Sequence, residues 1–173
     1  MGEWASDEGH DVTSHHRHAL TLCASLVQNP MNLGALCRTA EVFCLQQLVL
    51  PTLKVLENRE FRKLAVSSHA WQPLAECPAE QLSEWMLQQQ TEGATVLALA
   101  RHAQAVPLPQ FCFPKQSVLI LGKELTGIPE AVVNQCDGVI EIPQFGCVES
   151  LNVGMAGAIA AYAYVCQHAI TEQ

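Results

Sequence analysis

Five runs of strand length dominate this chain, and all are rich in apolar residues: Ala19–Val27, Leu45–Leu50, Thr95–Ala100, Ser117–Leu121 and Val139–Ile142. Strands with so little polar alternation have no face to offer water. They fit best in a mostly parallel sheet covered by helices on both faces. The segments between them supply those helices. Asn32 is placed to cap a helix reaching about Cys44, with Leu33, Leu36, Cys37, Ala40 and Phe43 at helical spacing. A charged helix is expected over Glu57–Ala65, a short strand within Trp71–Glu76, and an amphipathic helix from Pro78 through Gln90 with Leu82, Trp85 and Met86 as its stripe. Pro129 opens another, and a small-residue helix follows over about Leu151–Gln167. The expected fold is a single α/β domain, and 173 residues suffice to bury about 70% of the unfolded surface.

Composition narrows the function. With 49% hydrophobic and 15% charged residues the chain is a globule rather than a disordered segment. A formal net charge of −8 argues against holding nucleic acid by bulk electrostatics alone. Eight cysteines occur singly, without a C-x-x-C pair, so no metal site is expected. With no signal-peptide pattern, they point to reduced thiols in an intracellular compartment, cytoplasmic or nuclear. Leu151–Cys166, the most apolar stretch, is too short for a membrane span and reads as a buried helix. Residues 1–18 are polar, carry His10, His15, His16 and His18, and are expected to form a flexible tail ahead of a domain over 19–173.

Ligands of open parallel sheets bind beyond the C-terminal strand ends. Three segments fall there: the loop after Ala100, the turn Gly122–Gly127, and the stretch Ile142–Gly157. The turn is no phosphate-binding P-loop, because Lys123 is followed by Glu124 instead of a hydroxyl residue. Gly122 is expected to admit a ligand to the backbone and Gly127 to permit the turn. Ser150 and Asn152 stand where they can cap the last helix.

Three motifs occur in order. The first is Asn32-x-Gly34-Ala35-x-x-Arg38-Thr39-Ala40-Glu41-x-Phe43, and the second Leu121-Gly122-Lys123-Glu124-x-x-Gly127-Ile128. The third is Ile142-Pro143-x-x-Gly146-x-Val148-Glu149-Ser150-Leu151-Asn152-Val153. Together they resemble the signatures of the SpoU (TrmH-like) branch of the SPOUT RNA methyltransferases, over about Ala19–Ala169. The resemblance implies an α/β fold whose C-terminal segment makes a deep trefoil knot, S-adenosylmethionine as cofactor with S-adenosylhomocysteine as product, and a homodimer built on the C-terminal helix. It implies methylation of an RNA ribose 2′-hydroxyl, most fittingly a tRNA guanosine at D-loop position 18. Arg38 is then the residue acting on the hydroxyl, oriented by Glu41 or Glu124, with Asn32, Glu124, Ser150 and Asn152 completing the catalytic set.

Cofactor contacts are expected at Leu99, Ala100, Gly122, Ile142 and Leu151, mostly through backbone and apolar groups. Candidate RNA contacts are Arg17, Arg38, Arg59, Arg62, Lys63 and Arg101. The acidic balance implies a larger parent protein that supplies RNA affinity. Two alternatives stand beside this reading. One is an inactive RNA- or protein-binding module, disfavoured by retention of Asn32, Arg38, Glu124, Ser150 and Asn152. The other is a cysteine-nucleophile base methyltransferase, which lacks its Pro-Cys motif because Cys77 precedes Pro78.

Overall fold

Side chains on the central strands alternate between two apolar layers, and that alternation organises the molecule. The computed structural model describes residues 16–148 and 150–169. The expected tail up to His15, including His10 and His15, and Glu149 of the third motif lie outside the described residues. Among the described residues, seven strands form one sheet in the order β3-β2-β1-β6-β4-β7-β5, with every strand pair parallel. They are β1 (His18–Cys23), β2 (Leu45–Leu50), β3 (Leu74–Glu76), β4 (Thr95–Leu99), β5 (Val106–Pro107), β6 (Ser117–Ile120) and β7 (Gly138–Glu141). The helices are α1 (Pro30–Val42), α2 (Arg59–Ala65), α3 (Leu82–Thr91), α4 (Glu130–Val133) and α5 (Val153–Ala169).

Leu48, Leu22, Leu119 and Leu97 pair in register across four neighbouring strands. All four point into the larger core, which α1, α2 and α5 close with Leu33, Leu36, Phe61 and Tyr164. Their neighbours Cys23, Val49, Val96, Val118 and Ile120 point the other way, onto Leu82 and Met86 of α3. Each such side chain contributes about 1.5–3 kcal/mol of burial.

Several boundaries differ from expectation. Asn29, not Asn32, caps α1: its Oδ1 accepts from Met31 N at 2.9 Å, and Pro30 occupies the first helical position, where its missing N–H costs nothing. The first strand ends at Cys23, not Val27, and the edge strand β5 was not anticipated. His18, assigned to the tail, begins β1. Arg17 is anchored too, donating to Leu45 O, Gln72 Oε1, Trp71 O and Glu41 Oε2. Pro78 caps a short 3-10 turn that precedes α3.

Close helix packing explains three glycines. A Cβ on Gly34 would meet Phe61 O of α2 at 2.3 Å, and one on Gly157 would meet Leu36 Cδ2 of α1 at 2.5 Å. Gly154 likewise lies against Asn32 and Ala35. These residues of α5 therefore serve contact within the chain. After α2 the backbone turns left-handed at two non-glycine residues, Val66 (φ 47°) and Ser67 (φ 66°). Such strain costs about 1–3 kcal/mol per residue.

Candidate active site

Three loops leave the C-terminal ends of β4, β6 and β7 and enclose one cavity of about 330 Å³. All five positions expected to touch a cofactor line it: Leu99 and Ala100 after β4, Gly122 after β6, Ile142 after β7, and Leu151 before α5. Glu124 and Ser150 line it as well. The volume lies at the lower end of the range for small-molecule sites, about 300–1,000 Å³. Its apolar wall from Leu99, Leu121, Ile142 and Leu151 suits a flat heteroaromatic ring, and its charged lining comes from Arg101, Lys123, Glu124 and Glu130.

Gly122 lines the cavity and also serves the turn that it opens. A Cβ there would sit 2.7 Å from Gly127 C and 2.9 Å from Ile128 N, so its small size closes the turn upon itself. The closure is a pair of backbone bonds, Lys123 N to Gly127 O at 2.9 Å and Gly127 N to Lys123 O at 3.0 Å. Gly127 takes φ +67°, the conformation expected of it.

Beside the cavity runs a chain of hydrogen bonds that joins all three motifs. Glu124 Oε1 accepts from Asn29 N at 3.0 Å and from Asn32 Nδ2 at 3.1 Å, and Oε2 accepts from Gln28 N at 3.4 Å. Asn32 Oδ1 accepts from Asn152 Nδ2 at 2.9 Å. Asn152 Oδ1 in turn accepts from Gly154 N and Met155 N, capping α5. Asn32 is thus a buried amide satisfied at both ends. Partial burial works to raise the Glu124 carboxyl, but the bonds from Asn32, Asn29 and Gln28 outweigh it and hold the group below the usual carboxylate range.

Arg38 lies elsewhere. It is on the exposed face of α1 and does not line the cavity. Neither expected orienting partner reaches it: Glu41 pairs with Arg17 at 3.0 Å, and Glu124 is held by the start of α1. Arg17 is spent on four hydrogen bonds within the chain and serves as a structural anchor. Arg59, Arg62 and Lys63 are exposed on α2, whereas Arg101 lines the cavity, so the cationic set is divided between two places.

Among the wall residues not foreseen, His102 and Glu130 are polar and in contact. His102 Nε2 lies 3.4 Å from Glu130 Oε1, and its Nδ1 accepts from Gln104 N at 3.2 Å. Both follow strand-end segments already marked as ligand loops, the only sequence signal they carry. Cys77 is buried and its thiol raised by that burial, so it is no nucleophile. The other buried thiols behave as core hydrophobes, Cys23 being pushed up to about 12.

Comparison with known proteins gives a consistent result. The profile of the SpoU rRNA Methylase family matches residues 19–162. The chain is 43% identical over 148 residues to the tRNA (guanosine(18)-2′-O)-methyltransferase TARBP1 of Mus musculus, covering 86% of this chain and 9% of that protein. It superposes on the A. aeolicus TrmH/SpoU tRNA modifying enzyme with a TM-score of 0.81 at 24% identity, covering 93% of this chain and 81% of that one. It also matches an AdoMet-bound rRNA methyltransferase from Sinorhizobium meliloti with a TM-score of 0.72 at 25% identity, over 86% and 56% of the two chains.

Proposed function

The chain belongs to the SpoU methylase family, and from that premise we propose that it methylates a ribose 2′-hydroxyl of RNA with S-adenosylmethionine. The substrate is tRNA, and the target is guanosine 18 of the D-loop, the nucleoside named for the mouse relative. One observation carries the reading: Leu99, Ala100, Gly122, Ile142 and Leu151, far apart in sequence, line a single cavity.

The bound donor supplies a methyl group already activated on a sulfonium. The protein must therefore align the acceptor oxygen and favour its deprotonation. The part of Arg38 is electrostatic: a guanidinium offers only donors, so it stabilises the developing 2′-alkoxide while an RNA phosphate oxygen takes the proton. Glu124, Asn32 and Asn152 act as positioning residues that fix the start of α1, the Gly122 turn and the start of α5 relative to one another. Ser150 presents its hydroxyl on the substrate side of Leu151.

The working unit is a homodimer formed through α5. Met155, Ile159 and Tyr162 make an exposed apolar stripe on that helix, and Met31 and Val42 are exposed on α1 beside it. Arg38 shares the face of Met31 and Val42 at helical spacing, which would bring it to that interface. The C-terminal segment forms a trefoil knot, a reading supported by the β6 turn and the pre-α5 loop meeting at one cavity. Residues 19–173 constitute the catalytic domain. A larger parent protein adds RNA affinity, a reading supported by the net charge of −8.

Tritiated-methyl transfer to total tRNA, with mapping of the modified nucleotide, tests the activity. Label at guanosine 18 is expected; absence of label, or label on a base, would overturn it. Arg38→Ala should abolish transfer while leaving cofactor affinity within about twofold, and unchanged turnover would remove Arg38 from the mechanism.

A further inference from the structure

The excursion between β2 and β3, residues 51–73, is unlike the rest of the surface. It holds four of the nine Lys and Arg residues, Lys54, Arg59, Arg62 and Lys63, against two acidic residues, Glu57 and Glu60. Its formal charge is therefore +2, while the rest of the chain carries −10. All four cations are exposed. The 3-10 turn bearing Lys54 is tied to α2 by Arg62 Nε donating to Leu56 O at 2.6 Å.

The same excursion ends in an exposed tryptophan. Trp71 keeps 57% of its surface in water, although its backbone is fixed at both ends: N–H donates to Ser68 O at 3.0 Å, and C=O accepts from Arg17 at 3.0 Å. That Arg17 nitrogen also binds Glu41 Oε2, one helical turn beyond Arg38 on α1. Ser68 Oγ donates to Cys37 Sγ, the neighbour of Arg38, at 3.3 Å. A rigidly mounted, solvated indole is thus linked by two contacts to the turn of α1 that carries Arg38.

We infer that this excursion is an RNA-docking platform, on which Trp71 stacks an unpaired base and Lys54, Arg59, Arg62 and Lys63 hold the adjoining phosphates. The inference rests on RNA being the substrate and adds a contact region outside the cavity. A cationic strip tracks a phosphate backbone, and a flat indole takes the face of any base not already stacked in a duplex. An otherwise acidic chain gathers its cations where the polyanion lies.

Titration of the 173-residue chain with unfractionated tRNA at low salt, followed by tryptophan emission, tests the platform. Quenching is expected in the wild type and in a chain with both Trp4→Phe and Trp85→Phe, and is expected to vanish when Trp71→Phe is added to that pair. Trp71→Ala should weaken tRNA binding about 10-fold, whereas Trp71→Phe, which keeps a stacking face, should stay within about 3-fold. The triple change Arg59→Gln, Arg62→Gln, Lys63→Gln should lower the slope of log affinity against log salt by about 2. Because only the Trp71 backbone makes the mapped hydrogen bonds of that residue, the Trp71 variants should fold; circular dichroism checks the triple variant, which gives up the Arg62 bond to Leu56 O. Unquenched emission in the chain that keeps only Trp71, or wild-type affinity in Trp71→Ala, would each overturn the inference. Conversion of an oligomer to monomer by Trp71→Ala, seen by size exclusion, would assign the face to a second copy instead. Trp71-dependent binding without methyl transfer would sink the proposed activity and leave the platform standing.

Discussion

Glu124 is a carboxylate whose hydrogen-bond partners all come from the start of α1, more than ninety residues away in sequence. Its folded-state pKa is depressed, so the tie contributes stability above the ordinary carboxylate range and loses it as pH falls through the folded value. Thermal midpoints measured from pH 6 down to pH 3 should therefore fall less steeply in Glu124→Gln than in the wild type; parallel curves would count against the tie. Gly122→Ala pushes a methyl group into the backbone of Gly127 and Ile128, and calorimetry should find cofactor affinity reduced at least about 10-fold. An unaltered Kd would mean that the turn shifts freely. Residue identities were legible in the sequence, but their partners were not. Spacing put Glu41 one turn from Arg38, yet Arg17 arrives from another segment and takes it. Helical periodicity carries no information about such an arrival.

At the scale of elements, the strands were legible because burial on both faces leaves a continuous apolar run, and each of the five expected runs contains most of a strand. The ends were harder to read. Ala24–Val27 is as apolar as β1 itself but lies beyond the last paired residue, buried in the loop leading to α1. Leu119 stands at the middle of the leucine row, and Leu119→Ala should cost about 2–5 kcal/mol in chemical denaturation. A loss below 1 kcal/mol would mean the row is not the centre of the core. The close of α2 offers the opposite sign. Val66 is exposed and left-handed, so Val66→Gly should gain about 1 kcal/mol by relieving the β-carbon clash. No periodicity announces that conformation, since valine is among the residues least suited to it.

Across the whole molecule, sequence order gave the three ligand loops, and the parallel sheet gave their common end. What only three dimensions supply is that they face a single cavity, and that Arg38 lies outside it on α1. The apolar stripe on α5 bears on this separation. Met155→Glu combined with Tyr162→Glu should yield a monomer by size exclusion with light scattering, with methyl transfer lost in step; an unchanged mass would remove the stripe from the interface. The strand order has a further consequence, in time. β1 is held between β2 and β6, and its partner at Ser117–Ile120 follows about a hundred residues later in the chain. At about 5–20 residues per second of synthesis, β1 waits roughly 5–20 s with one edge unpaired. The strand of this sheet made first is among the last secured on both edges, and the nascent chain spends that interval in need of protection.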